Sequence, residues 1–320
     1  MTKASGRQLG ALGLCAFTVP AVLLLPGSGW LWATAAALFV AFLLLWGLRL
    51  LREEKRGLAV CAAGSRTGKV LLIGALIWNF LLLGAAARQL CSVFPDGKDT
   101  PLVGLVLLLV SAYAAGHKRG PRIAAILFFF LLGLYALLFG FSLPELRREY
   151  LEVHRKAKQW QLSAALAPMC LLYLKPAWGK GAVGWCVGGV LLALAAALMS
   201  AGILSPAVAA QKAFPFYEAA KSVSLFGVLG RLEPLVSAAV SLGGFCLLCL
   251  LCTANGSILN ALIPRKNLSD TPINFFMGLL FFYLSASLSA PIIAVGTAIF
   301  WGLFPIGTLL LVVRKKVKKI

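Results

Sequence analysis

The sequence predicts an all-α membrane protein of about ten transmembrane helices, arranged as two five-helix halves in inverted repeat. Three observations predict it. Hydrophobic residues make up 61% of the 320-residue chain and charged residues 12%, against roughly 45–50% apolar residues in soluble domains, and mean hydropathy is +0.92. The apolar mass falls into ten stretches near the ~20 residues that cross a bilayer as a helix. The first and sixth stretches, which are counterparts if ten divide into two fives, each carry an internal proline, Pro20 and Pro168.

The stretches are Gln8–Leu25, Trp30–Leu51, Val70–Leu90, Leu102–Gly116, Ile123–Phe141, Gln159–Leu174, Gly181–Leu204, Leu235–Cys252, Asn274–Ala290 and Ile292–Val313. The fourth and sixth are short, and a re-entrant or interfacial segment is the alternative for both. Charge decides the count. Ten spans with the N-terminus inside place 20 of the 30 Lys and Arg residues on the cytoplasmic side, as the positive-inside rule requires. Deleting the sixth span would throw the tail from Arg314 to Lys319 outside. The expected organisation is one membrane domain, with residues 1–142 as the first half, 143–158 as an interfacial helix and 159–320 as the second half.

No polar block is long enough to fold as a soluble catalytic domain, so the chain is not expected to be an enzyme. The net charge of +20 belongs to loops that orient the spans, which removes nucleic acid as a partner. The first stretch follows Lys3 and Arg7, but Leu24-Leu25-Pro26-Gly27 is a poor cleavage site and the next span follows at once. It is expected to remain as a helix.

Two outer segments are more than simple loops. Pro144 to Lys158 sets Leu146, Tyr150, Val153 and Ala157 at helical spacing among charged residues, the pattern of an amphipathic helix lying at the interface. The segment Ala213 to Pro234 offers Phe214, Pro215, Tyr217, Glu218, Arg231 and Glu233 as a candidate extracellular gate. A solvated linker is the competing reading for each.

Inside the spans, Arg88 is the ionisable candidate, near a span end, with Arg49 at the cytoplasmic end of the second stretch. Proton-coupled membrane proteins keep a carboxylate, Lys or His within the bilayer because the relay needs it. This interior suits a neutral or zwitterionic ligand instead. A proline within a span frees a carbonyl, and interrupted helices at corresponding positions mark ligand sites built from helix ends. A plain kink is the alternative. Most hydroxyl-bearing residues in the spans are expected to bond their own helix or glue neighbours. Asn79, an amide within Leu76-Ile77-Trp78-Asn79-Phe80-Leu81, is costly to bury alone and must face the bundle interior.

Other motifs carry less. Cys246, Cys249 and Cys252 repeat every three residues without His or acid beside them, which reads as small-residue packing, not a metal site. Gly184 and Gly188 have helix-packing spacing. His117 and His154 sit in basic loops with no partner at ligand spacing. No phosphate-binding loop, dinucleotide fingerprint or nucleophile elbow occurs, and neither metal nor cofactor is expected.

The block Phe214-Pro215-Phe216-Tyr217-Glu218, Val223-Ser224-Leu225, Leu229-Gly230-Arg231-Leu232-Glu233-Pro234-Leu235 and Gly243-Gly244-Phe245 resembles the most characteristic region of the spore-germination permease family. These are the B subunits of nutrient germinant receptors, related to amino-acid permeases of the APC superfamily. Arg7-Gln8-Leu9 with Leu24-Leu25-Pro26-Gly27, and Ala112-Tyr113-Ala114-Ala115-Gly116 with Arg122-Ile123-Ala124, are similar to its first span and its fourth-to-fifth junction. The resemblance, which runs to about residue 260, implies a ten-helix, LeuT-like fold and a nutrient receptor in the spore inner membrane, with both termini cytoplasmic. It also implies an A-type membrane subunit and a C-type lipoprotein as partners. Carried over by position, its ligand site falls on Thr18, Val19 and Pro20, on Ala164, Ala167 and Pro168, and more loosely on Asn79 and Ser241.

Here the chain departs from the family by carrying Val19-Pro20-Ala21 where a glycine-containing turn is usual, and by a shortened sixth span. Three functions follow as expectations: a nutrient-sensing receptor subunit, a secondary amino-acid transporter, or a scaffold that has lost its ligand site. A fluorescent-protein fusion at the C-terminus should glow and an alkaline-phosphatase fusion there should be inactive; the reverse pair of results rejects the ten-span orientation.

Overall fold

The structure is a computed structural model that describes residues 10–17, 30–53, 57–91, 100–116, 120–152, 163–174, 181–205, 208–209, 215–222, 233–263 and 270–317. All regular structure among them is helical. Residues 10–17 form α1, followed by α2 (Trp30–Glu53), the short α3 (Leu58–Ala63), α4 (Arg66–Cys91), α5 (Thr100–Gly116) and α6 (Gly120–Ser142). A 3-10 turn (Leu143–Glu145) and α7 (Arg148–Glu152) come next, then an eleven-residue 3-10 segment (Ser163–Tyr173) and α8 (Ala182–Ile203). After these come α9 (Pro215–Ser222), α10 (Glu233–Leu262) and α11 (Asp270–Leu284) with a 3-10 turn (Ser285–Ser287). Finally α12 (Ala290–Thr297), a π segment (Ala298–Leu303) and α13 (Phe304–Val317) run on from one another, the junction residues Thr297 and Phe304 both being helical.

Local signals account for several boundaries. Ser65 precedes α4, and its Oγ accepts the Gly68 N–H at 3.0 Å, the bond by which an N-cap serine satisfies a free donor of the first turn. Pro101 and Pro121 stand in the first turns of α5 and α6, where no N–H is needed. Asp270 opens α11 with a negative charge against the positive end of the helix.

The helices sort into two packed groups. In one, α2 lies against α8 and the 3-10 segment, while α1 joins through Gly10 beneath the Trp185 ring and Phe17 over Gly189. In the other, α4, α5, α10 and α11 pack on one another. The groups touch where the Cys15 and Cys246 side chains come within hydrogen-bonding reach. Within the second group the pairings repeat: α4 packs on α5 as α10 packs on α11, and α4 crosses α11 as α10 crosses α5.

Among the described residues, six helices are long and apolar enough to cross a membrane: Thr34–Arg52, Arg66–Cys91, Ile126–Glu145, Val183–Ile203, Val236–Leu262 and Val295–Arg314, with Pro101–Gly116 as a shorter apolar helix. Expected boundaries shift elsewhere. The eighth stretch was expected to end at Cys252, but α10 continues to Leu262. Thr253, Ser257 and Asn260 bond the carbonyls of Cys249, Thr253 and Gly256, which removes the cost of carrying polar residues on a buried helix. The ninth begins at Asp270, four residues before the apolar signal, and breaks near Ser289 before α12. Of the expected sixth span, the described part is 3-10 throughout. The interfacial segment contributes a 3-10 turn and α7; its residues 153–158 lie outside those described.

Among the described residues, the buried polar side chains are Asn79, Ser111, Ser142, Ser200, Asn255, Asn274, Ser285, Thr297 and Thr308, with no Asp, Glu, Lys, Arg or His. Close crossing needs glycine at Gly84, where an added Cβ would sit 2.9 Å from the Gly278 carbonyl oxygen and 2.5 Å from the Phe281 carbonyl carbon. Gly133 on α6 has nothing within 4 Å of that position. Gly84→Ala should therefore lower the thermal midpoint of the solubilised protein, by the equivalent of about 1–3 kcal/mol of overpacking. Gly133→Ala should raise it through up to about 1 kcal/mol of helix propensity, and equal shifts would refute the close α4–α11 crossing.

Candidate ligand-binding site

The contact of the last helix with the 3-10 segment and α4 is organised by a proline that the paired-proline argument left out. Pro305 lies one residue into α13. In an α-helix its ring would clash with the carbonyl four residues back, that of Trp301. The chain avoids this by widening into the π segment Ala298–Leu303, where the Phe304 N–H bonds the Ile299 oxygen, five residues back. One carbonyl is stranded by the change. Phe300 O loses its α-helical donor, Phe304 N–H, to Ile299, and its donor in the wider register would be Pro305, which has no N–H. Tyr173 from the 3-10 segment fills the vacancy, its hydroxyl donating to Phe300 O at 2.8 Å. The ring of Tyr173 lies 6.3 Å from that of Phe304.

The π segment also turns Trp301 towards α4, where its Nε1–H donates to Asn79 Oδ1 at 2.7 Å. Asn79 has no exposed surface and Trp301 is 4% exposed. The neighbouring rings interlock. Phe300 stacks on Trp78 with centroids 5.9 Å apart and planes inclined by 26°, the Trp78 ring covers Gly296, and Phe300 covers Gly74 at 2.8 Å from the position of a Cβ. On the other side, Leu166 of the 3-10 segment reaches Gly302, 3.7 Å from its Cβ position. Two side-chain groups in this region, Asn79 Nδ2 and Trp78 Nε1, are buried with no hydrogen-bond partner.

The candidates from the sequence fall into separate places. Asn79 contacts the π segment from α4, while Ala167 and Pro168 are buried in the 3-10 stretch between Leu166 and Tyr173, which meets that segment from the other side. Ala164 belongs to the same stretch. Ser241 lies elsewhere: its hydroxyl donates to Ser237 O at 2.7 Å. Leu90 of α4 meets Gly244 of α10, and Asn79 lies eleven residues from that crossing, about 16 Å of helix. Ser241 and Asn79 therefore do not share one small pocket. Thr18, Val19 and Pro20 lie outside the described residues.

Of the candidate gate, Phe214 and Arg231 lie outside the described residues and Glu233 opens α10. Pro215 and Tyr217 are buried, Glu218 is half-buried, and all three belong to α9, which packs on α8 and α10. Tyr217 OH lies 3.4 Å from Ser237 Oγ. Lys221 Nζ stands 5.3 Å from the centre of the Tyr217 ring, and Phe216 meets Tyr135 and Phe139 edge-on at 6.2 and 6.1 Å. This end is a packed aromatic cover over the helices.

A second polar array joins α10 to α11. Asn255 Nδ2 donates to Asn274 Oδ1 at 3.1 Å and Asn274 Nδ2 to Cys252 O at 3.4 Å, leaving Asn255 Oδ1 and the nearby Ser111 Oγ without partners. Ser111 O in turn accepts from the Cys249 thiol at 3.9 Å. None of the eight cysteines forms a disulfide, and no group of three or more His, Cys, Asp or Glu side chains among the described residues has metal-binding geometry. The groups this region offers are stacked rings and unpaired hydrogen-bond donors. It has no buried carboxylate or imidazole for acid–base chemistry among the described residues. Pro305, Trp301, Trp78 and Tyr173 were not selected from sequence as ligand-site residues. Their signal was a third intraspan proline and a tryptophan at mid-span, whose N–H needs a partner.

No family model and no curated protein matches the chain. Among solved structures it is similar to Mhp1, a nucleobase-cation-symport-1 family transporter, in a closed conformation with bromovinylhydantoin bound. The TM-score is 0.60 over 95% of this chain and 77% of that one, at 11% sequence identity. The likeness shows the fold: this is an all-α, multi-pass membrane protein whose helices are arranged as in that structure.

Tyr173→Phe should destabilise the solubilised protein by about 1 kcal/mol, in the range of interhelical hydrogen bonds within membranes, as read from its thermal midpoint. A midpoint unchanged from wild type would show that Phe300 O needs no donor from the 3-10 segment.

Proposed function

We propose that the chain is the ligand-binding membrane subunit of a spore germinant receptor, sensing a small neutral or zwitterionic nutrient such as an amino acid. The observation that carries the reading is a polar centre, Asn79 with Trp301, at a helix break in an interior with no buried charged side chain among the described residues. Such a centre can orient a small uncharged or zwitterionic molecule but offers no carboxylate for proton coupling. The sequence block from Phe214 to Phe245 supports sensing over transport, with an A-type membrane subunit and a C-type lipoprotein as partners in the spore inner membrane. The ligand would lie between the two helix groups, against Thr18, Val19 and Pro20, the stretch Ala164 to Pro168, and Asn79. Ser241 and the α9 residues would lie on the outer route. Signalling requires that the ligand bind one arrangement of the groups better than the other.

Secondary transport is the second reading, and the fold shared with Mhp1 favours it. Backbone carbonyls would then have to hold the coupling ion. A thermal-shift screen of the purified protein against amino acids, sugars and nucleobases should yield at least one stabilising ligand. Gradient-driven uptake of that ligand into proteoliposomes should be absent, and deletion should abolish the matching germination response. Uptake without partner subunits would overturn sensing in favour of transport; no stabilising ligand and unchanged germination would overturn both.

A further inference from the structure

The orientation of the Asn79 amide determines which ligand chemistry the centre accepts, an inference that rests on the ligand-binding reading above. An indole N–H only donates, so the 2.7 Å bond from Trp301 identifies the bonded Asn79 atom as Oδ1. The other end of the amide, Nδ2, is buried and unpartnered. Rotating the amide to offer an acceptor instead would set Nδ2 against the indole N–H, donor against donor. Trp301 is itself held in place, since it occupies the π segment imposed by Pro305 and follows Phe300, whose carbonyl is tied to Tyr173. Trp78, one residue before Asn79, likewise buries its N–H without a partner, with its ring on Gly296 and Phe300.

Both unsatisfied groups are therefore donors. Leaving buried donors unmade is costly, and most hydroxyls of the bundle avoid that cost by bonding carbonyls of their own helix, as Ser142, Ser200 and Thr308 do. The geometry points to Asn79 Nδ2, with Trp78 Nε1 as a second donor, as the receiver of a ligand acceptor oxygen, a carboxylate or a ring carbonyl, and to Trp301 as the residue that positions it. A carboxylate here would be held by N–H groups alone, since no cationic side chain is buried among the described residues.

The test uses full-length protein in lipid nanodiscs and affinities from thermal-shift titration. The probes are the L-amino acids, the primary amines left by removing their carboxylates, uracil and hydantoin. Wild type should bind best a compound with a carboxylate or ring carbonyl, the amino-acid and ring arms separating the two sources. Asn79→Asp, which keeps the oxygen facing Trp301 and replaces the donor with an acceptor, should weaken that compound at least about tenfold. Asn79→Leu tests the same loss if the aspartate variant fails to fold. Trp301→Phe should also weaken binding, and Trp301→His, which restores a ring N–H, should recover part of it. A purely structural Trp301 would show no such recovery, and that result would overturn its positioning role. Amines that bind as tightly as their parent amino acids, or Asn79 variants that bind like wild type, would overturn the inference while leaving ligand binding intact. A wild-type protein that binds none of the probes would remove both.

Discussion

Hydrocarbon offers no water to a carbonyl that has lost its donor, and the Phe300 carbonyl is where this chain meets that constraint. Pro305 forces the local widening, the widening strands Phe300 O, and Tyr173 arrives from the 3-10 segment to satisfy it. One bond thereby ties the 3-10 segment to the last helix. The same widening aims Trp301 at Asn79 on α4. Three elements distant in sequence are registered against one another by a single missing backbone donor.

The rest of the interior follows the same rule with cheaper solutions. Hydroxyls on α6, α8, α10 and α13 return to carbonyls of their own helix, and the amide pair Asn255–Asn274 links α10 to α11. What remains unpaired is divided by chemistry. Donors are left near the π segment, at Trp78 and Asn79, and an acceptor on α10, at Asn255, near the Ser111 hydroxyl of α5, which can act as either. A neutral interior with separated donors and acceptors can discriminate among small uncharged or zwitterionic molecules through hydrogen-bond direction alone. Removing a polar partner from such a site costs more than removing an apolar contact.

The fold is shared with a transporter at 11% identity, a level at which architecture persists while sites change freely. Within the aromatic cover, Phe216 of α9 meets Tyr135 and Phe139 of α6. A sensor and a transporter can share such a fold. They differ in whether binding is followed by release on the far side, which is a matter of the relative stability of two arrangements.

Composition and charge alone determined that this chain lives in a bilayer and that its regular structure is helical. Each follows from transfer energetics, which depend on residue type more than on neighbours. The burial of Asn79 was legible for the same reason: an amide in an apolar run has only the interior to face. Its partner was not. Trp301 lies 222 residues away, and no local period links the two. Nor could hydropathy see that α10 runs ten residues past Cys252, because its polar residues are silenced by bonds to their own helix. The family resemblance assigned Ser241 and Asn79 to one ligand site, yet their helices cross at Leu90 and Gly244, about 16 Å of helix from Asn79. Only tertiary structure decided which proline mattered. The consequence of losing an N–H depends on which group comes close enough to replace it, and for Phe300 that group is a tyrosine from another helix.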